Sequence, residues 1–187
     1  MWSKSLTDNN AVINNYDLHT SYGASGQDLR NKFVVSYLYQ LPETRSFGWF
    51  GREALDGWHV NGITSFQSGN PFAVTSGVDT NLDGKTNDRV DVLFNPRASS
   101  GQTRAQKIKA YLNPAAFAIP TGPYGDEQAN QFYGPDNVDT DLSVFKEFPI
   151  TDNVRFQFRA EAFNAFRNAN LNNPKTALSN LQTAYTS

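Results

Sequence analysis

Alternation of apolar and polar residues with a period of two is the feature that most restricts the fold of this chain. The alternation is clearest over residues 154–166, where the two sets are Val154, Phe156, Phe158, Ala160, Ala162 and Phe166 against Arg155, Gln157, Arg159 and Glu161. Successive side chains of a strand point to opposite faces, so this pattern predicts a strand with one apolar and one charged face. Helical spacing would instead spread the phenylalanines around the helix.

Three other segments show the same period. They cover residues 32–41, 57–68 and 141–150, and residues 1–7 are interpreted as the end of a further strand. Lys146 interrupts the apolar side of the segment 141–150. A lysine near a membrane interface can extend its amine toward water, and we expect Lys146 to do so.

The composition narrows the classes of protein. The chain has no run of about 18 apolar residues, which excludes a transmembrane helix. A transmembrane β-strand needs an apolar residue only at every second position, so a barrel remains compatible with the sequence. The formal net charge is −2, which gives no reason to expect nucleic acid as a partner. Cysteine is absent, which excludes disulfides and thiolate metal sites.

The connections between the predicted strands are unequal in length. A tight turn over 149–153 and a medium turn over 42–56 contrast with long polar loops over 8–28 and 70–138. Outer-membrane barrels have short turns on the periplasmic side and long loops outside. The predicted fold class is therefore all-β, with antiparallel strands forming part of a transmembrane outer-membrane β-barrel with long extracellular loops. A soluble β-sandwich with two long functional loops is the alternative.

Several strings, in order along the chain, resemble the C-terminal barrel half of TonB-dependent transporters, specifically the Oar-like subgroup. The strings are Asp28–Val34, Leu41–Pro42, Gly57–Ile63, Gln67–Phe72, Leu112–Phe117, Gly134–Pro135, Asp141–Ser143, Phe145–Lys146 and Phe158–Asn164. The resemblance implies a bacterial outer-membrane protein that binds and imports a ligand with energy delivered by TonB. It also implies outer-membrane lipid, a plug domain and TonB as partners.

The chain departs from this family pattern in two ways. It contains no plug and no segment that contacts TonB, and it ends without a final amphipathic strand. We therefore expect residues 1–187 to be a fragment of a barrel, with strands near 1–7, 29–41, 57–69, 139–150 and 153–167. The plug and the rest of the barrel would then be supplied by a longer protein.

The pattern assigns two groups of side chains to the surfaces of such a barrel. The predicted lumen-facing residues are Arg155, Gln157, Arg159 and Glu161. They would contact a plug or a charged ligand path, or simply form a solvated inner wall, since every such barrel has a polar interior. The predicted interfacial aromatic girdle consists of Tyr37, Tyr39, Trp49, Phe50 and Trp58. In a soluble sandwich these rings would pack in the core.

The loop that starts at residue 79 resembles the opening of an EF-hand calcium loop. The candidate ligands are Asp79, Asn81, Asp83, Lys85 through its carbonyl, and Asn87. The acid that closes such a loop is missing because Val90 stands there, and Asp88 or Asp91 is a candidate substitute. The alternative is a polar turn whose residues supply turn geometry alone. Calcium is the one cofactor that the sequence suggests.

Nothing in the sequence indicates catalysis. The two histidines, His19 and His59, stand in ordinary polar contexts, and nucleophile-elbow, zinc-protease and phosphate-loop motifs are absent. We therefore expect a non-enzyme. The alternative functions are a soluble secreted β-domain that binds carbohydrate through its long loops, and a surface structural protein or adhesin.

Overall fold

The computed structural model describes residues 1–8, 14, 16–42, 56–97, 103, 105–106 and 111–183. The strands are β1 Leu6–Thr7, β2 Gly23–Ala24, β3 Lys32–Gln40, β4 Trp58–Gln67, β5 Pro71–Phe72, β6 Asp91–Val92, β7 Phe117–Ala118, β8 Phe132–Tyr133, β9 Asn137–Thr151 and β10 Val154–Ala162. Among the elements that lie fully within these ranges, the helices are the 3₁₀ turns Leu18–Ser21 and Pro114–Ala116 and the α-helix Leu178–Thr183, called α1. No helix in these ranges has the length and apolar content to cross a membrane.

The chain divides into two compact units. The first, called the sheet unit, consists of Met1, Asn31–Gln67 and Asp136–Leu171. The second, called the loop unit, consists of Trp2–Arg30, Ser68–Pro135 and Asn172–Ser187. The all-β prediction is confirmed, since strands make up nearly all of the regular structure.

The sheet unit is one antiparallel sheet of four strands in the order β10-β9-β4-β3. Its strands have 9, 15, 10 and 9 residues in that order. At about 3.3 Å per residue, even the shortest spans roughly 30 Å, which suffices for a tilted strand to cross a bilayer core.

The register brings the apolar sides of all four strands onto one surface. Residues directly opposite in an antiparallel pair share a face, and Tyr37 pairs with Gly62, Gly62 with Leu142, and Leu142 with Ala162. The surface called the apolar face consists of Phe33, Val35, Tyr37, Tyr39, Trp58, Val60, Gly62, Thr64, Phe66, Val138, Thr140, Leu142, Val144, Lys146, Phe148, Phe156, Phe158, Ala160 and Ala162. The opposite surface, the polar face, consists of Lys32, Val34, Ser36, Leu38, Gln40, His59, Asn61, Ile63, Ser65, Gln67, Asn137, Asp139, Asp141, Ser143, Phe145, Glu147, Arg155, Gln157, Arg159 and Glu161.

The two short connections leave from the same end of the sheet. The segment 41–57 joins β3 to β4, and the turn at Asp152 and Asn153 joins β9 to β10. Because Gln40 pairs with His59, and His59 with Phe145, both connections lie at that end. The long connection leaves β4 and enters β9 at the opposite end, where Gln67 pairs with Asn137. This is the arrangement that the loop lengths predict.

The last predicted strand is shorter than the sequence indicated. The expectation of a strand over 153–167 is wrong beyond Ala162, where turns follow. Asn164 and Arg167 have positive φ values of 45° and 51°, which is incompatible with an extended strand. The side chain of Asn164 also exchanges two hydrogen bonds with the backbone of Asn168, which closes the turn.

The predicted strand over residues 1–7 is also corrected. It is not continuous: Leu6–Thr7 form β1, which pairs with β2 outside the four-stranded sheet, whereas Met1 exchanges two backbone hydrogen bonds with Lys32 at the edge of β3.

The long segments are not structureless, contrary to the expectation for loops 8–28 and 70–138. They form the loop unit, in which β5 pairs with β8 and β6 with β7. Its core consists of Phe72, Val74, Val90, Leu112, Ala116, Phe117, Phe132, Leu178 and Leu181. The ring of Phe132 contacts those of Phe72 and Phe117, with centroids 6.0 and 5.7 Å apart. Burial of these side chains stabilises the unit.

Candidate functional site

The apolar face of the sheet unit is exposed. Phe33 and Tyr39 are each 60% exposed, Phe156 is 56% exposed and Phe158 is 46% exposed. The fully buried hydrophobic residues of the described chain all belong to the loop unit. A contiguous apolar surface of this extent marks a site of contact with a partner or a membrane.

Two hydroxyl groups on the apolar face satisfy each other. Thr64 and Thr140 are opposite each other in the register, and their hydroxyl oxygens are 3.2 Å apart, within hydrogen-bonding distance. Thr140 is 2% exposed. A hydroxyl pair closed in this way does not depend on water for its hydrogen bond, which suits a surface in contact with hydrocarbon.

Lys146 also lies on the apolar face, and the structure corrects its expected orientation. Its side chain does not extend to water, because the residue is 4% exposed. Its Nζ lies 4.9 Å from the ring centroid of Phe148 and 5.9 Å from that of Trp58. Aromatic faces attract a cation, and more strongly where water is excluded. The lysine is therefore accommodated by its cross-strand and same-strand neighbours.

The residues of the predicted aromatic girdle are described in part. Tyr37, Tyr39 and Trp58 lie on the apolar face. Tyr39 and Trp58 are near the end of the sheet that carries the short connections, and the indole of Trp58 contacts Phe158 edge-on at 6.0 Å. Trp49 and Phe50 lie outside the described residues.

The predicted lumen-facing residues lie together on the polar face of β10. Arg155 forms an ion pair with Glu147 on β9 at 3.4 Å, and Arg159 forms one with Glu161 at 3.5 Å. Both pairs are largely exposed, so each contributes little to stability. They keep this face hydrated and hold both signs of charge close together.

A stack of three side chains on the polar face was missed by sequence reasoning. His59, Phe145 and Arg159 occupy one row across β4, β9 and β10. The rings of His59 and Phe145 are 4.8 Å apart and nearly parallel, and the guanidinium of Arg159 lies 5.5 Å from the Phe145 ring. Only the register brings these residues together, and no local signal in the sequence indicates it.

A concavity lies over the middle of the sheet on the polar side. Most of its lining residues belong to the polar face: Ser36, Leu38, Asn61, Ile63, Asp141, Ser143 and Glu161. Phe163, from the turn after β10, closes one side.

The loop unit holds a buried carboxylate with three donors. Asp28 is 0% exposed and accepts hydrogen bonds from the Ser5 backbone N–H, the Arg30 Nε and the Tyr133 hydroxyl at 2.7 to 3.0 Å. Burial by itself would raise the pKa of Asp28, but these hydrogen bonds outweigh it and leave the pKa below the ordinary value. Asp28 therefore fixes Ser5 and Tyr133 to the same point.

A second buried carboxylate is less well satisfied. Glu127 is 2% exposed, and its Oε1 accepts a hydrogen bond of 2.7 Å from the Val74 N–H, whereas Oε2 has no hydrogen-bond partner among the described residues. Burial raises the pKa of Glu127 to about 8, although Val74 and the nearby Arg89 counteract this. Arg89 is itself buried and donates to the Thr20 carbonyl.

The predicted calcium ligands lie in one exposed loop of the loop unit. The carboxylate of Asp79 accepts hydrogen bonds from the backbone N–H groups of Asp83 and Gly84, and that of Asp83 accepts one from Lys85. Asn81 accepts from Asp83, and Asn87 is exposed. The described part of the chain contains no group of three or more His, Cys, Asp or Glu side chains placed to hold a metal ion.

One comparison with known proteins gave a match. A family model described as an outer membrane beta barrel domain matches residues 1–186. No curated protein and no solved structure matched the chain.

Proposed function

The chain belongs to the outer membrane beta barrel domain family and is an outer-membrane protein, and from this premise we propose that it forms part of the wall of a TonB-dependent transporter that binds and imports a ligand. Family membership accounts for an exposed apolar face that a water-surrounded domain would have to cover. The soluble secreted alternative does not account for that membership.

The proposal rests on one observation: apolar side chains and charged side chains lie on opposite faces of the sheet. Hydrocarbon suits the face that contains Phe156 and Phe158, and water or a polar domain suits the face that contains Arg155 and Arg159. A charged inner wall is of use only if the barrel encloses water, a ligand path or a plug. A narrow barrel filled with apolar side chains would not need it.

Oxygens on the polar face support a polar occupant of the lumen. The side chains of Asn137, Asp139 and Ser143 each hold a buried oxygen that has no hydrogen-bond partner within the described chain. Oxygens of this kind are normally satisfied in a native protein. A plug domain or ordered lumen water would supply the missing donors.

The edges of the sheet support a larger barrel. Within the sheet, β3 and β10 each pair with one neighbouring strand. An open strand edge is not stable in hydrocarbon, because its backbone groups have no partner there. We propose that neighbouring strands of a longer protein pair with both edges.

The test is to sequence the gene on both sides of this segment and then measure binding of its product to TonB. The upstream reading frame is expected to encode a plug, and the detergent-extracted product is expected to bind the immobilised periplasmic domain of TonB. The control is a truncated product from which the residues before the plug have been removed. This product should not bind TonB. An upstream frame without a plug, together with no retention by TonB, would overturn the transporter proposal while leaving the outer-membrane assignment in place.

A further inference from the structure

The loop over residues 77–88 is closed at its base by strand-like pairing. Thr75 forms an antiparallel bridge with Arg89, and the Ser76 N–H donates to the Asp88 carbonyl at 2.7 Å. Gly84 has a φ of +84°, a conformation that glycine adopts without strain. This glycine stands at the sixth position of the loop that starts at Asp79, where calcium loops of the EF-hand type make their sharp turn.

Asp88 supplies an independent indication of a ligand. The residue is 1% exposed, and its Oδ2 accepts hydrogen bonds from the Thr80 N–H at 2.7 Å and the Asn81 N–H at 3.2 Å. The carboxylate is therefore directed at the backbone of the loop. Its other oxygen, Oδ1, is buried and has no hydrogen-bond partner among the described residues. A buried carboxylate oxygen without a partner is costly, and a bound cation would offset that cost.

The structure also distinguishes the two acids that could close the loop. Asp91 lies in β6, where its Oδ1 accepts a hydrogen bond from the Asp126 N–H at 3.1 Å. The Asp126 carboxylate in turn accepts from the Val92 N–H at 2.7 Å. Asp91 is thus used in holding two segments together, and Asp88 is the acid that contacts the loop.

We propose that this loop binds one calcium ion, with Asp88 as the closing carboxylate. The other ligands would be the side-chain oxygens of Asp79, Asn81 and Asp83 and the carbonyl of Lys85. Calcium prefers six to eight oxygen ligands in flexible geometry. Magnesium demands a near-ideal octahedron, and soft metals prefer sulfur or imidazole, neither of which the loop offers.

Binding requires the side chains of the loop to rotate. In this structure the carboxylates of Asp79, Asp83 and Asp88 are not gathered around one point, and those of Asp79 and Asp83 accept backbone N–H groups instead. Both oxygens of Asp79 accept a backbone N–H group, and each retains a second lone pair that can be offered to the ion. Lys85 lies 3.9 Å from Asp83 and is largely exposed, so its amine can swing away when calcium binds.

The test is calorimetric titration of calcium chloride into the full-length protein in detergent, after removal of bound metal with a chelator. Asp83→Asn removes the negative charge but keeps the acceptor for the Lys85 N–H. This variant is expected to lose one equivalent of bound calcium, or to bind it at least tenfold more weakly. Asp126→Asn, which makes the same change at a carboxylate outside the loop, is expected to bind like the unmodified protein.

A second variant separates binding from folding. Asp88→Asn is expected to lose the same equivalent, but it also alters a buried contact, so its fold is checked by the protease resistance of the loop unit. Absence of calcium binding by the unmodified protein, or equal binding by Asp83→Asn and Asp126→Asn, would overturn the proposal. Neither outcome depends on TonB, so the calcium site and the transporter proposal can fail separately.

Discussion

The ring of Tyr37 lies directly over Gly62 on the neighbouring strand. The two residues are opposite each other in the register, and a Cβ atom added to Gly62 would lie 2.6 Å from the Tyr37 hydroxyl oxygen and 2.8 Å from the Asp141 carbonyl. Gly62 is buried in the centre of the apolar face as a result. A strand glycine of this kind permits close approach of a large ring, at a cost in strand propensity.

Gly62→Ala is therefore expected to destabilise the barrel by about 1–3 kcal/mol, because the added methyl group meets both a ring and a backbone carbonyl. Urea unfolding of the full-length protein in lipid vesicles, followed by tryptophan fluorescence, measures the change. Gly26→Ala is the control, since a Cβ at Gly26 meets nothing within 4 Å. Adding Tyr37→Ala should recover part of the loss but not all of it, since Asp141 remains. Equal effects of the Gly62 and Gly26 changes would contradict this packing.

The contact between Lys146 and Trp58 gives a second prediction. If the aromatic ring stabilises the lysine charge, Trp58→Leu should cost more stability when residue 146 is Lys than when it is Met. A coupling free energy of about 0.5–2 kcal/mol is expected from a partly desolvated cation–π contact. A double-mutant cycle in lipid vesicles measures it. The same cycle between Trp58 and Glu147 is the control and should give a coupling near zero, because Glu147 lies on the other face. A Trp58–Glu147 coupling as large as the Trp58–Lys146 coupling would argue against the contact.

Glu127 predicts how the stability of the loop unit depends on pH. Its pKa is raised by burial to about 8 from an ordinary value of 4.5. Between those values the folded unit holds a proton that the unfolded chain has released, so stability falls as pH rises through this window. Below and above the window, this group adds no pH dependence.

Glu127→Gln should flatten that slope, because the amide keeps an acceptor for the Val74 N–H and does not titrate. The measurement is denaturant unfolding of the loop unit between pH 5 and pH 9. Unfolding is monitored by amide hydrogen exchange, corrected for the intrinsic exchange rates at each pH. Asp126→Asn, on the exposed neighbour whose charge is the smallest of the causes that raise the pKa of Glu127, should keep most of the slope. A profile for Glu127→Gln as steep as that of the unmodified protein would rule out Glu127 as the titrating group.

The faces of the long strands could be predicted from the sequence because they follow from the pleat alone. Phe156 and Arg155 must point to opposite sides wherever the strand lies. The joining of four apolar sides into one surface depends on the register, in which Tyr37 lies opposite Gly62. The sequence constrains that register, because a slip of one residue would put charges of one strand among the apolar residues of the next.

The loop unit could not be predicted in the same way. Its core joins Phe72, Phe117 and Phe132, which are far apart in the sequence and belong to two-residue strands that show no periodicity. The environment of Lys146 depends on Trp58, nearly 90 residues earlier in the chain, and on the register between them. The end of β10 was misjudged because Phe166 continues the apolar alternation across a turn set by Asn164.

The most direct test of the two-faced wall is a nitroxide scan of β10 in the full-length protein, reconstituted in lipid. Residues 1–187 contain no cysteine, so a single cysteine at each of residues 155–160 carries the spin label once any cysteine elsewhere in the full-length protein is replaced by serine. Collision rates with oxygen, which concentrates in lipid, and with a water-soluble nickel chelate are then measured by electron paramagnetic resonance. Positions 156, 158 and 160 are expected to favour oxygen, and positions 155, 157 and 159 to favour nickel or be shielded from both. Accessibility that does not alternate, or that alternates with the opposite phase, would contradict the account.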